Sequence, residues 1–267
     1  MNNFYSPKKA MAIFAHPDDI EFSCVGTLAR WAKGGTKVSY VILTSGDVGI
    51  DDPEFSKEDA IRIREEESRI AAKIAGADEI AFLGQPDGLL EATVDLRKML
   101  VREIRRFQPE VVICGDPTVT LPSDTYINHP DHRAAAVAAI DAVFPASGQP
   151  TLFPEIEEVD GYKAHKPRKV FIHTWSDPNF FINISETIDI KIKALKAHKS
   201  QMNGWNPEPM IKEWASETAK GKEMQYAEGF RVVTLVSDED WEICEGDPIK
   251  LFYSRKEKRG NQGDSAE

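Results

Sequence analysis

Short apolar runs alternate along the chain with stretches whose apolar side chains recur every three or four positions. Residues 11–15 form a continuous apolar run of a length suited to a buried strand, and 21–33 read as a helix ended by Gly34-Gly35. Residues 38–43 are the next strand run, closed by Thr44-Ser45-Gly46-Asp47. Over 59–75, Ile63, Ile70 and Ile74 keep helical spacing until Gly76. A short strand at 80–83 enters the turn Gly84-Gln85-Pro86-Asp87-Gly88, and Val94–Phe107 is amphipathic through Leu96, Leu100, Val101, Ile104 and Phe107. A strand at 111–114, a helix at 132–144, a strand at 170–173 and a helix at 188–202 continue the rhythm. It predicts an α/β, Rossmann-like fold, a mostly parallel sheet with helices on both faces.

Between 145 and 168 the chain is loop-rich, with Pro145, Pro150, Pro154 and Pro167. A helix at 208–223 and strands at 231–236 and 249–253 predict a small C-terminal α/β layer. With no internal repeat or linker, residues 1–255 read as a single domain and 256–267 as a polar, disordered tail.

A net charge of −11 argues against general nucleic-acid binding, which needs a concentrated basic face. No apolar run approaches the ~20 residues of a membrane span, and the first residues are too polar for a signal peptide. Cys24, Cys114 and Cys244 fit no metal-binding spacing and read as buried thiols of a reducing compartment, so a cytoplasmic location is expected.

The chemistry concentrates in two clusters, His16-Pro17-Asp18-Asp19 and His129-Pro130-Asp131-His132. Each sits where a strand or loop gives way to a helix, and in sheets of this kind ligands lie outside the C-terminal strand ends. Ser45-Gly46-Asp47 and Asp87 also follow predicted strands, so all of these point to one cleft. Pro17 stops the strand ladder and sets the turn. A spacing of three puts His16 and Asp19 on one side of the first helical turn, with Asp18 directed elsewhere. Two imidazoles and a carboxylate can then converge on a divalent ion that leaves one position open to water, with further carboxylates free for proton transfer. A single such cluster could be no more than helix capping. Two of them, both at strand ends, favour the site.

These residues carry a resemblance. His16-Pro17-Asp18-Asp19-Ile20-Glu21 together with His129-Pro130-Asp131-His132-Arg133 resembles the LmbE-like, or PIG-L, family of zinc-dependent N-acetylglucosamine deacetylases. Thr44 to Gly49, Arg62-Ile63-Arg64-Glu65-Glu66-Glu67 and Gly84 to Gly88 are similar to further family motifs, as are His198-Lys199-Ser200-Gln201 and 226–231. The resemblance implies zinc (Fe2+ or Co2+ fit the same donors) held by His16, Asp19 and His132. It implies Asp18 as general base, His129 polarising the oxyanion or protonating the leaving amine, and Asp131 orienting an imidazole. It places Arg64 and Asp87 at sugar hydroxyls and suggests a substrate contact for His198, which on helical periodicity alone reads as a core residue. It also implies a homo-oligomer, trimer or hexamer, acting on a small amino-sugar substrate. The family often has Glu where this chain has Asp47, one methylene too short for the same contact.

Three other readings compete. The same site could cleave a bulkier amide, such as a sugar-linked thiol conjugate. A nucleotide-binding Rossmann protein is disfavoured, since no Gly-x-Gly-x-x-Gly follows the first strand. A non-catalytic metal scaffold would have no use for Asp18 beside the ligands.

Overall fold

The computed structural model describes residues 5–174, 177–244 and 246–247. In chain order its elements are β1 (Lys9–Phe14), α1 (Asp19–Ser23), α2 (Val25–Lys33), β2 (Lys37–Thr44), α3 (Lys57–Ala75), β3 (Glu79–Gln85), α4 (Val94–Phe107), β4 (Val111–Gly115) and α5 (Pro130–Val143). There follow α6 (Glu155–Asp160), β5 (Lys169–His173), β6 (Phe180–Asn183), α7 (Ile188–Leu195), α8 (Lys199–Met202), α9 (Glu208–Ala219), β7 (Ala227–Thr234) and α10 (Asp238–Ile243).

The strands form one seven-stranded sheet in the order β3-β2-β1-β4-β5-β7-β6. β1 to β5 are parallel; β7 runs antiparallel between β5 and β6. Alternation along β1 divides the core between the two faces. Ala10, Ala12 and Phe14 pack with Leu28, Trp31, Ala71 and Ile192 on one side. Met11, Ile13 and Ala15 pack with Leu96, Leu100, Ala135 and Ala139 on the other. Strand order reverses between β1 and β4, so the crevice above their carboxyl ends is the expected ligand site.

The predicted fold class holds, with local differences. The C-terminal segment does not stack as a separate layer: β6 and β7 extend the main sheet. The helix expected over 21–33 is broken at Cys24, whose φ of −141° leaves the helical region. The one expected over 188–202 is interrupted at Lys196–His198 between α7 and α8. The strand expected at 249–253 and the tail at 256–267 lie outside the described residues. Among the described residues, no helix is long and apolar enough to cross a membrane.

Candidate active site

β1 ends at Phe14 and delivers His16 and the turn Pro17-Asp18 to the crevice. Asp18 has φ 91° and ψ −24°, a left-handed conformation that strains a residue with a Cβ. It makes no capping hydrogen bond to α1, so its carboxylate is free to face the cavity. Arg64 of α3 holds the strained turn from behind. Its Nη2 donates to the Pro17 carbonyl at 2.7 Å and to Asp18 Oδ2 at 3.2 Å, and its Nη1 to the Gly46 carbonyl at 2.8 Å. The guanidinium fits because Gly46 has no side chain: a Cβ there would lie 2.6 Å from Nη1. Gly46 also sits at φ 66°, where glycine is at ease.

The second cluster opens α5. His129 is its N-cap, with Nδ1 accepting from the Asp131 amide at 3.2 Å, and Pro130 occupies the first turn. His132 lies one turn on. Its Nε2 is 3.0 Å from Asp19 Oδ1 and 3.1 Å from His16 Nδ1, while His16 Nδ1 is 3.4 Å from Asp19 Oδ2. Donor atoms of His16, His129 and His132 also lie within 4.8 Å of one another.

The opposite ring nitrogens are held in place. His16 Nε2 lies 3.2 Å from Asp87 Oδ1 and 3.3 Å from Asp131 Oδ2. His132 Nδ1 lies 3.3 Å from Asn128 Oδ1. Asp131, fully buried, accepts the amides of Gly88 at 2.8 Å and Leu90 at 3.2 Å, and Asp87 accepts that of Val48 at 2.8 Å. This is how imidazoles are oriented in metal sites, the outer partner fixing the tautomer so that the inner nitrogen presents its lone pair.

Burial would lower the proton affinity of His16, yet Asp19 and Asp87 outweigh it and push its pKa up to about 10. In His132 burial is likewise overcome by Asp19, raising the pKa. Asp19 is held well below the ordinary carboxylate range, because both imidazoles outweigh its desolvation. The cluster therefore demands positive charge, and its two imidazole nitrogens and one carboxylate match the donors of a divalent transition-metal ion. His129 differs: burial, then the neighbouring imidazoles, lower its pKa, so it stays neutral with the proton on Nε2. Asp18 is pushed up to about 7 by burial, against the pull of Arg64 and with reinforcement from Asp19.

Of the residues expected at a sugar, Arg64 and Asp87 line a cavity of about 770 Å³ together with His16, Asp18, His129 and His132. Both are already engaged by protein groups, as described. His198 is outside that lining: it is fully buried, with Nε2 3.2 Å from Glu21 Oε2 beneath α1. Burial lowers its pKa but the Glu21 carboxylate more than compensates, giving a buried ion pair. Asp47 pairs with Lys57 at 3.1 Å. Sequence reasoning overlooked Glu21, Asn128, Gly49 and Trp214. Asn128 had a local signal, four residues before His132, whereas Glu21 meets a partner 177 positions away.

A family model described as GlcNAc-PI de-N-acetylase, PIG-L, matches residues 11–143. The diacetylchitobiose deacetylase of Thermococcus kodakarensis is 34% identical over 86% of this chain and 85% of its own length. The chain belongs to the PIG-L family. A probable N-acetyl-alpha-D-glucosaminyl L-malate deacetylase 2 of Bacillus anthracis is 28% identical over 73% of this chain and 81% of that protein. Among solved structures, the N,N'-diacetylchitobiose deacetylase of Pyrococcus horikoshii superposes with a TM-score of 0.77 at 28% identity, covering 85% of this chain and 84% of that one.

Proposed function

We propose that this protein is a metal-dependent deacetylase acting on an N-acetylglucosamine-type amino sugar or a conjugate of one. The names of its relatives support the substrate class. The observation that carries the reaction is the convergence of His16 Nδ1, Asp19 and His132 Nε2 within 3.0–3.4 Å, with Asp18 on the adjoining strained turn. His16, Asp19 and His132 would hold the ion, zinc being the one best matched to two imidazoles and a carboxylate. Such an ion supplies Lewis acidity, which acidifies water and polarises an amide carbonyl.

The remaining chemistry belongs to side chains. Asp18 accepts the proton of the water that attacks the amide carbon. His129, neutral and carrying its proton on Nε2, donates to the oxygen on which negative charge develops. The C–N bond then breaks as a proton reaches the nitrogen, leaving acetate and a free amine. Asp131 and Asp87 act behind His16 by fixing its tautomer. Arg64 aims Asp18, and His198 braces α1 through Glu21.

The test is acetate release from N-acetylglucosamine, its disaccharide and thiol-linked glycosides, using metal-analysed protein with a chelated control. Fully metal-loaded protein that frees acetate from none of them would sink the proposal. The cavity is at the upper end of ligand-cleft sizes and has Val48, Val119 and Tyr126 in its wall, which favours the bulkier-amide reading as an alternative. Release of a larger acid or amine from the thiol-linked members of the panel would select it.

A further inference from the structure

A second cavity, about 390 Å³, adjoins the first: Phe22, Ser23, His173 and Trp214 line both. Trp214 stands on the third turn of α9 and is 39% exposed, whereas Trp205, the loop tryptophan with comparable exposure, lines neither cavity. Beyond Trp214 the second cavity offers Phe181, with Glu217 and Lys222 at its edge. Its deeper charges cancel: Lys191 Nζ and Glu228 Oε1 form a buried pair at 2.7 Å. Lys222 and Glu217 are opposite in sign as well, so the walls hold no excess charge for an anionic group. An aromatic face with hydrogen-bonding groups of both kinds around it suits a neutral polyhydroxylated ring, whose C–H face packs on the indole while its hydroxyls reach the rim.

We infer that Trp214 and the cavity behind it form a subsite for a second, uncharged sugar ring attached to the N-acetylated one. The substrate class is then a neutral disaccharide or longer glycan, in preference to a carboxylate- or phosphate-bearing conjugate. This rests on the deacetylase reading above and adds a specificity-determining residue to it.

The experiment compares the metal-loaded wild type with Trp214→Ala and Trp214→Phe on three substrates: N-acetylglucosamine, N,N'-diacetylchitobiose and an N-acetylglucosaminide of malate. Acetate release is measured together with calorimetric binding of the deacetylated disaccharide, and melting temperatures verify folding. Wild type should prefer the disaccharide. Trp214→Ala should lower its kcat/KM by roughly five- to tenfold, the scale of one aromatic packing contact, and change the monosaccharide by less than about twofold. Trp214→Phe should recover most of the loss. Equal loss on both sugars, no loss on either, or preference for the malate conjugate overturns the subsite. No acetate from any sugar defeats the deacetylase reading itself. Calorimetry then decides the subsite alone, since disaccharide binding that is missing in wild type or indifferent to Trp214 removes it.

Discussion

Replacing Arg64 with alanine separates two roles that kinetics can tell apart. By resemblance the residue grips sugar hydroxyls; in the structure it is 4% exposed and its guanidinium is committed to Pro17, Gly46 and Asp18. Its loss leaves two carbonyls and a carboxylate without their donor and releases a turn held at φ 91°. Breaking a buried charged contact costs about 3–5 kcal/mol. Asp18, with a pKa of about 7, is only partly charged near neutrality, which argues for the lower end, about 3 kcal/mol. At roughly 2–4 °C per kcal/mol for a chain of this size, the melting temperature should fall by roughly 6–12 °C. Because the base loses its aim, kcat should drop by roughly 10² while KM for the best sugar substrate barely moves. Arg64→Lys should fall between, since an ammonium cannot span the acceptors that the planar fork reaches. Thermal melts and steady-state acetate release, both on metal-loaded protein, are the assays. A several-fold rise in KM with kcat and melting temperature unchanged would refute this reasoning and return Arg64 to the sugar.

Asp18→Asn should keep its metal by elemental analysis yet lose about 10²–10⁴ in kcat; loss of the metal would mean that Asp18 and Asp19 have exchanged roles. His132→Ala should lose both metal and activity, whereas His129→Ala should retain metal and slow turnover; the opposite pattern shifts the ligand register of the second cluster. His173 is held down to a pKa of about 4 by burial and by Lys191, against about 6.5 in an unfolded chain. The native state thus binds fewer protons between those values, and the stability this provides is complete above about pH 6.5 and is lost as pH falls toward 4. His173→Gln should flatten that limb in urea titrations of metal-free protein at pH 7.5 and 4.5, and an unaltered slope counts against it.

The central strands were legible because full burial on both faces makes them continuous apolar runs: β1, β2 and β4 are each almost entirely buried. Both histidine clusters were legible for a related reason, lying where those strands must end. β6 was not. Its four residues, Phe180–Asn183, are too few to show a period, and its place is set by pairing with β7 some fifty residues later. The break at Cys24 also escaped notice, because the apolar spacing continues through it into α2. Residue chemistry survived translation into the fold better than residue direction. Arg64, Asp87 and His198 have the hydrogen-bonding groups expected at a sugar, but whether they face substrate or protein depends on partners far away in sequence: Pro17, His16 and Glu21.

That dependence makes the site more than a set of ligands placed on a finished scaffold. Asp131 reaches from α5 to the amides of Gly88 and Leu90, and Asp87 from the same loop to the amide of Val48, while both carboxylates meet His16 Nε2. The loops after β1, β2 and β3 and the start of α5 are thereby joined through one imidazole. Asp18, Asp19, Asp87 and Asp131 crowd this junction against the guanidinium of Arg64, a charge imbalance that a divalent cation on the inner face of His16 relieves. Metal binding and ordering of these loops are on this view a single equilibrium, with His16 as its hinge: the carboxylates that orient the ligand also hold the walls of the cavity in which the substrate must sit.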